Sequence, residues 1–251
     1  MPNDDFLAVL DFGSQYAHLI AKRIRHLGVY TEIFPPSIDT DSLEAAKGII
    51  LSGGPASVFA EDVPAFNPEI LNIPQPILGL CYGHQLMAQH FGGRVANTGQ
   101  GEFGKASLRQ LNPSPLWKDV ADSSQVWMSH QDSVTELPQD FQVIGETISG
   151  SLVALQHQER PLFSLQFHPE VSDTLVGTQI LSNFVELCKA YPSWSMERFI
   201  EQTKDELQQQ VGEHNVLMFL SGGVDSSVAF ALLNEALGKE RVLGLFIDNG
   251  F

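Results

Sequence analysis

The chain has only two cysteines in 251 residues, Cys81 and Cys188. They lie far apart and in no metal-ligand spacing. That excludes a disulfide framework and points to a reducing compartment, the cytoplasm. Basic residues are scarce as well, 14 Lys and Arg against 30 Asp and Glu, for a net charge of −16. Such a balance argues against non-specific binding to nucleic acid or to an anionic membrane surface. No run approaches the ~18 apolar residues of a membrane span. The opening Met1-Pro2-Asn3-Asp4-Asp5 lacks the basic start and apolar stretch of a signal peptide. Internal repeats and low-complexity segments are missing too. What is there is a hydrophobic content of 43%, enough for a real core, in a length that suits one large domain or two smaller ones.

One stretch organises the rest: Pro76-Ile77-Leu78-Gly79-Leu80-Cys81-Tyr82-Gly83-His84-Gln85. The apolar run Ile77 to Leu80 predicts a buried strand, and His84 to Phe91 predicts a helix. A strand that turns sharply into a helix lifts its corner residue out of the sheet. The corner residue here is a thiol, set before the free N–H groups and positive potential of a helix start, which favour a thiolate. On this stretch alone, Cys81 reads equally as a buried core cysteine.

The chain before it alternates. Phe6 to Phe12 is a strand. Ala17, Leu19, Ile20, Ile24 and Leu27 then fall at helical spacing, and Gly28 closes that helix. Val29 to Phe34 and Gly48 to Leu51 are further strands, with a short helix over Ser42 to Ala46 between them. The alternation predicts a parallel sheet covered on both faces. The third strand runs into Ser52-Gly53-Gly54-Pro55, where glycines let backbone N–H groups converge on a small anion. In a parallel sheet this loop and Cys81 share the C-terminal edge, where α/β ligand sites form.

From Gly101 the texture changes. Ala106 to Leu111, Val126 to Val134, Phe141 to Glu146, Leu152 to His157 and Leu162 to Phe167 read as short strands. Gln158-Glu159-Arg160-Pro161 is a hairpin connection between the last two. The last strand ends in Gln166-Phe167-His168-Pro169-Glu170. In an extended segment His168 and Glu170 point to one face, so the carboxylate can hold the imidazole's tautomer and stabilise its charged form. Taken alone, the plainer reading is a surface His and Glu near a strand end. Leu175 to Tyr191 is a helix with a broad apolar face. Cys188 on it reads as core. Pro192-Ser193 breaks the chain.

Met196 to Val211 is a charged, Gln-rich helix, either a connector or the first helix of a new domain. Val216 to Leu220, the loop Ser221-Gly222-Gly223-Val224-Asp225-Ser226-Ser227 and the helix Val228 to Leu237 form a strand, glycine-rich loop and helix, the architecture of a phosphate cradle. No Lys follows the glycines, so this is not a Walker A loop. Val242 to Ile247 is another strand, and Asp248-Asn249-Gly250 begins a turn. One strand, one helix and one strand make no independent core, so the sequence is expected to end inside a domain. The expected division is residues 1–192, a connector helix over 193–212, and a fragment over 213–251.

Gly79 to Gln85, with Gln166 to Glu170 far downstream and Ser52 to Pro55 upstream, resembles the class I (triad) glutamine amidotransferases over residues 6–190. Ser221 to Ser227 is similar to the PP-loop of ATP pyrophosphatases. Asp11-Phe12-Gly13-Ser14-Gln15-Tyr16, Glu102-Phe103-Gly104 and Trp127-Met128-Ser129-His130 with Asp132 are similar to members in which the two parts follow one another. The resemblance implies a flavodoxin-like α/β fold with a mostly parallel central sheet, flanking helices and a small antiparallel part. The start of a PP-loop (adenine nucleotide α-hydrolase-like) domain would follow.

It implies that Cys81 attacks the glutamine carboxamide, that His168 moves the proton and that Glu170 orients His168. Backbone N–H groups of Gly54 and Tyr82 would form the oxyanion hole. Gly53, Gln85, Ser129, His130 and Asp132 would hold glutamine, with Asp132 on its α-ammonium. Ser221, Gly222, Gly223, Val224, Asp225, Ser226 and Ser227 would hold ATP, with Asp225 toward Mg²⁺. The implied activity is hydrolysis of glutamine to glutamate and ammonia, for which no cofactor is needed. In a complete enzyme of this kind, a homodimer built on a further domain, the ammonia feeds ATP- and Mg²⁺-dependent amination of XMP to GMP. Two positions depart from the pattern: Gln131 stands where glycine is usual, and His84 where methionine is usual. Two alternatives stay open. One is a glutaminase subunit of another triad amidotransferase, and the other is a truncated, non-catalytic binding or regulatory form.

Overall fold

The computed structural model describes residues 5–13, 15–54, 57–58 and 64–247, with residues 98 and 100 described by backbone alone. Ser14, Pro55 and the turn Asp248-Asn249-Gly250 lie outside the described residues, as do Met1 to Asp4. The chain divides into two units, Met1–Ser193 and Trp194–Phe251.

The first unit is built on one sheet. Its strands are β1 (Phe6–Leu10), β2 (Tyr30–Phe34), β3 (Ala46–Leu51), β4 (Ile77–Leu80), β5 (Arg94–Gln110), β6 (Ser123–Glu136), β7 (Phe141–Thr147), β8 (Leu152–His157) and β9 (Leu162–Leu165). They lie in the order β2-β1-β3-β4-β9-β8-β7-β5-β6. From β2 to β9 every pairing is parallel, and from β9 to β6 every pairing is antiparallel.

Alternation along the strands decides what each face carries. Leu7 and Val9 of β1, Ile50 of β3 and Leu78 and Leu80 of β4 face one core. Helices α1 (Tyr16–His26) and α3 (Gly177–Leu187) close it with Ala17, Ile20, Ile24, Ile180, Leu181 and Phe184. Ala8, Leu10, Ile49, Leu51 and Ile77 face the other core, where helix α2 (Tyr82–His90) contributes Tyr82, Met87 and Ala88. The parallel strands are thus buried on both faces, which is why they read as nearly continuous apolar runs.

The antiparallel part is more extensive than the sequence suggests. β5 begins at Arg94, well before Ala106, because its polar, glycine-rich first half is held by pairing with β6 rather than by its own propensity. The register is irregular between Asn97 and Glu102, and Gly99 and Gly104 adopt positive φ. The segment around Ser42 is a 3₁₀ turn over Thr40–Leu43, and Ala46 already belongs to β3.

The second unit contains α4 (Met196–Val211), β10 (Val216–Leu220), α5 (Val224–Leu237) and β11 (Val242–Phe246). β10 and β11 pair in parallel. Ser195 caps α4 by accepting from the Arg198 N–H at 3.2 Å. The helix is more than a spacer: Leu207 and Val211 pack on the small core of Ala236, Leu237 and Val242. Gln208 Nε2 also donates to the Ala236 carbonyl at 2.7 Å. Among the described residues, no helix is long and apolar enough to cross a membrane.

Candidate active site

β4 ends where α2 begins, and Cys81 is the joint. It sits at φ 50°, ψ −97°, a region L-residues avoid. Such a conformation costs on the order of 1–3 kcal/mol and persists only where the surroundings impose it. They do so here. The Cys81 N–H donates to the Leu165 carbonyl of β9 at 2.8 Å, and the Cys81 carbonyl accepts from the Gln85 N–H at 3.2 Å. A Cβ added to Gly79 would lie 2.5 Å from the Gly83 carbonyl oxygen, and one added to Gly83 2.6 Å from that of Leu51. Only glycine lets the helix start this close to the sheet.

Cys81 opens onto a cavity of about 870 Å³. His168, Gly54, Tyr82, Gln85, Ser129, His130 and Asp132 line it as well, so the topology brings most of the sequence-derived site residues to one place. Gly53 is buried and is not among the lining residues. Gln131 is exposed and does line the cavity.

The His168 Nδ1 and the Glu170 Oε1 are 2.7 Å apart, and both side chains are buried. Cys81 and His168 line the same cavity, and the thiol acts on the ring electrostatically. Burial by itself opposes charge on this imidazole. The interactions with Cys81 and Glu170 outweigh burial and push its pKa up to about 10. The segment carrying the pair is clamped. Thr174 Oγ1 donates to the His168 carbonyl at 2.6 Å and accepts from the Trp127 N–H at 3.0 Å. Arg23 Nε donates to the Glu170 carbonyl at 2.8 Å. The Tyr16 ring lies 4.8 Å from the imidazole, centroid to centroid.

The far wall comes from β6. Gln85 Nε2 donates to the Asp132 carbonyl at 2.7 Å, and Ser57 Oγ donates to the Asp132 carboxylate. His130 Nδ1 lies 3.0 Å from the Asp132 carbonyl, and its Nε2 lies 3.4 Å from Glu102 Oε2. Burial lowers the His130 pKa against the opposing pull of Asp132 and Glu102. His84 points elsewhere. It is fully buried, with Nδ1 2.9 Å from Ser164 Oγ. Burial and the neighbouring His130 push its pKa down to about 3. Cys188 is buried at the end of α3, where burial pushes its thiol pKa up.

Sequence reasoning missed Ser57, Asn97 and the role of Tyr16, all of which line the cavity. Ser57 and Asn97 sit in segments that read as plain loop. A polar residue reaching the site from such a segment leaves no periodic signal.

In the second unit, Gly222 takes φ 79°, and Gly223 caps α5 without a side-chain acceptor. Ser226 and Ser227 hydroxyls donate to the Gly223 carbonyl at 3.1 and 2.9 Å. Asp225 lies in the first turn of α5, which starts at Val224, ahead of the Val228 suggested by the sequence. Among the described residues, no group of three or more His, Cys, Asp or Glu is placed to hold a metal ion.

A mixed sheet with helices on both faces and a sharp strand-to-helix elbow carrying a cysteine defines an α/β amidotransferase-type fold. The family model for class-I glutamine amidotransferases matches residues 8–188, and that for NAD synthase matches residues 195–250. The chain therefore belongs to the class-I glutamine amidotransferase family. It is 44% identical over 251 residues to a GMP synthase [glutamine-hydrolyzing] of Exiguobacterium sibiricum, covering 99% of this chain and 49% of that protein. For the enzyme of the same name from Campylobacter hominis, the identity is 46%, over 100% of this chain and 49% of the relative. The chain thus spans about half the length of the curated relatives it matches. A solved structure from Thermoplasma acidophilum, described provisionally as a GMP synthase subunit, superposes with a TM-score of 0.65 at 30% identity. The match covers 79% of this chain and 98% of that one.

Proposed function

We propose that this chain hydrolyses glutamine to glutamate and ammonia with Cys81, His168 and Glu170. The observation that supports it best is the set of three: a thiol at a strained corner on a cavity wall, sharing that cavity with a histidine that a buried carboxylate holds. His168 takes the Cys81 proton as sulfur attacks the side-chain carboxamide, then passes it to the departing nitrogen, which leaves as ammonia. Backbone N–H groups of Gly54 and Tyr82 meet the oxyanion. Water, deprotonated by His168, then cleaves the thioester to glutamate. Glu170 keeps the imidazole in the working tautomer throughout. Gln85, Ser129, His130 and Asp132 hold the substrate, and the Asp132 carboxylate suits its α-ammonium. Gly53 supports the loop that presents Gly54.

We further propose that residues 1–192 form the amidotransferase part and residues 213–251 the start of a PP-loop part, joined through 193–212. The whole would be a cytoplasmic enzyme that uses the ammonia to convert XMP to GMP at the expense of ATP. The loop fits an anionic pyrophosphate. Its helix start has no side-chain cap, Gly222 supplies the positive φ, and Ser221, Ser226 and Ser227 offer hydroxyls. ATP would supply the leaving group that activates XMP. Asp225 offers a single carboxylate to Mg²⁺, so phosphate and water oxygens would complete the shell.

The test is glutamate release from glutamine by this chain, beside a Cys81→Ala variant. Turnover lost only in the variant supports the reading. Turnover kept in Cys81→Ala, or absent from both, refutes it.

A further inference from the structure

One buried amide touches the sulfur and belongs to none of the roles above. Gln166 is 1% exposed, and its Nε2 lies 3.8 Å from Cys81 Sγ. Its Oε1 lies 3.2 Å from Gln85 Nε2, which also donates to the Asp132 carbonyl at 2.7 Å. The direction of each bond is fixed by elimination. A backbone carbonyl only accepts, so the end of Gln85 facing Asp132 is its NH₂. The second hydrogen of that NH₂ then meets an acceptor, so Gln166 turns its oxygen toward Gln85 and its NH₂ toward the sulfur. Amide orientations are usually ambiguous, but a chain anchored on a carbonyl leaves one consistent choice.

The sulfur also meets the Ser129 carbonyl, 3.7 Å from Sγ. That oxygen suits the neutral S–H, which donates to it. It disfavours the thiolate, which turns a lone pair toward a partial negative charge. Gln166 does the reverse, because an N–H bond to sulfur strengthens as sulfur gains charge.

We infer that Gln166 is a fourth catalytic residue, a hydrogen-bond donor that stabilises the Cys81 thiolate and aims it, held in that orientation by Gln85. The inference rests on the reading of Cys81 as the nucleophile. It also joins the substrate site to the sulfur: Asp132 accepts from Gln85, Gln85 from its other hydrogen donates to Gln166, and Gln166 donates to Sγ.

The experiment is the pH profile of Cys81 alkylation by iodoacetamide, followed by mass spectrometry of the Cys81 peptide in the absence of glutamine. Because no turnover is needed, the result is separate from whether the chain hydrolyses glutamine. Removing the donor in Gln166→Leu is expected to slow alkylation about tenfold at neutral pH and to move the profile to higher pH, in line with one lost hydrogen bond to a charged partner. Gln166→Glu, which sets a negative charge beside the sulfur, is expected to slow it further. Gln85→Leu leaves Gln166 in place but unanchored. It should shift the profile the same way by a smaller factor, and it gives a second reading if a Gln166 variant does not fold. Profiles in the folded variants that superimpose on that of the unaltered chain would overturn the inference. Normal alkylation with lost glutamate release would equally reject it, since that pattern marks a residue acting on substrate alone.

Discussion

Two of the strand–turn–helix corners among the described residues, β4–α2 and β10–α5, solve different problems. At the first, β4 is buried along its whole length, the joint is Cys81 in a conformation glycine would normally take, and Gly79 and Gly83 let strand and helix nearly touch. At the second, β10 and β11 carry Leu217, Phe219, Leu243 and Leu245 exposed, and the positive φ belongs to Gly222. A Cβ on Gly223 would meet only the Ser221 hydroxyl, at 3.4 Å. The first corner uses tight packing to hold one reactive atom still. The second leaves its backbone and hydroxyls exposed to solvent, as the anion-binding role proposed for it would require. The same local grammar thus serves both the proposed nucleophile and the proposed cradle, according to what surrounds it.

The sharpest contrast between the two is all-or-none. Among its described residues the second unit has one glycine-rich loop, two helices and two strands with exposed apolar side chains, which do not enclose a nucleotide pair. Incubated with XMP, ATP, Mg²⁺ and ammonium, the 251-residue chain is expected to form no GMP, while glutamate release from glutamine persists. Stoichiometric GMP would show the two corners to be equally complete.

Within the first corner, His168→Ala is expected to lower glutamate release by roughly 10³–10⁴-fold, and Glu170→Ala by about 10², because one group transfers the proton and the other only holds it. Equal rates in both variants and the parent would dissolve the distinction between mover and holder.

Backbone crowding gives the next effect. Gly83→Ala is expected to destabilise the first unit by about 2–3 kcal/mol, since its Cβ would strike Leu51. Gly223→Ala should cost about 1 kcal/mol, the difference between a good and a poor N-cap. Denaturant midpoints that fall alike in the two variants would contradict the packing contrast.

The smallest effect concerns acid. His84 is held neutral in the fold, with a pKa near 3, below its unfolded value. The unfolded chain therefore binds the proton more tightly. Stability tied to His84 is present above about pH 6.5 and drains as pH falls toward 3. His168 has the opposite sign: its pKa of about 10 gives stability that is full below about pH 6.5 and is lost as pH rises through 10. Between pH 6.5 and 5 the unaltered chain is expected to lose about 1–2 kcal/mol that His84→Met does not. An acid limb unchanged in His84→Met would place the sensitive group elsewhere.

Much of the first corner was legible in the sequence because its signals are local and steric. The short run Ile77 to Leu80, a cysteine after it and a glycine two residues beyond describe an elbow. His168-Pro169-Glu170 describes two side chains on one face. The partners of that corner were harder to see. Arg94 to Lys105 reads as loop because glycine and polar residues dominate, yet pairing with β6 makes it a strand and delivers Asn97 and Glu102 near the cavity. Gln166 stood in the motif without a role, since its bond to sulfur depends on the way Gln85 is turned by a carbonyl from β6. His84 looked like a bystander and is not among the residues lining the cavity, but its burial against Ser164 makes it an acid-sensitive part of the core. The sequence also left α4 open as a connector, because Leu207 and Val211 are too few to announce the small core they complete.

The central claim is that Cys81, set at the strained corner beside His168, is the nucleophile and that Cys188 is not. A glutamine-mimicking diazo-ketone, incubated with the chain and mapped by mass spectrometry, measures this directly. The account predicts one adduct per chain, on Cys81, lost in His168→Ala and blocked by excess glutamine. An adduct on Cys188, or one on Cys81 that forms equally without His168, would contradict it.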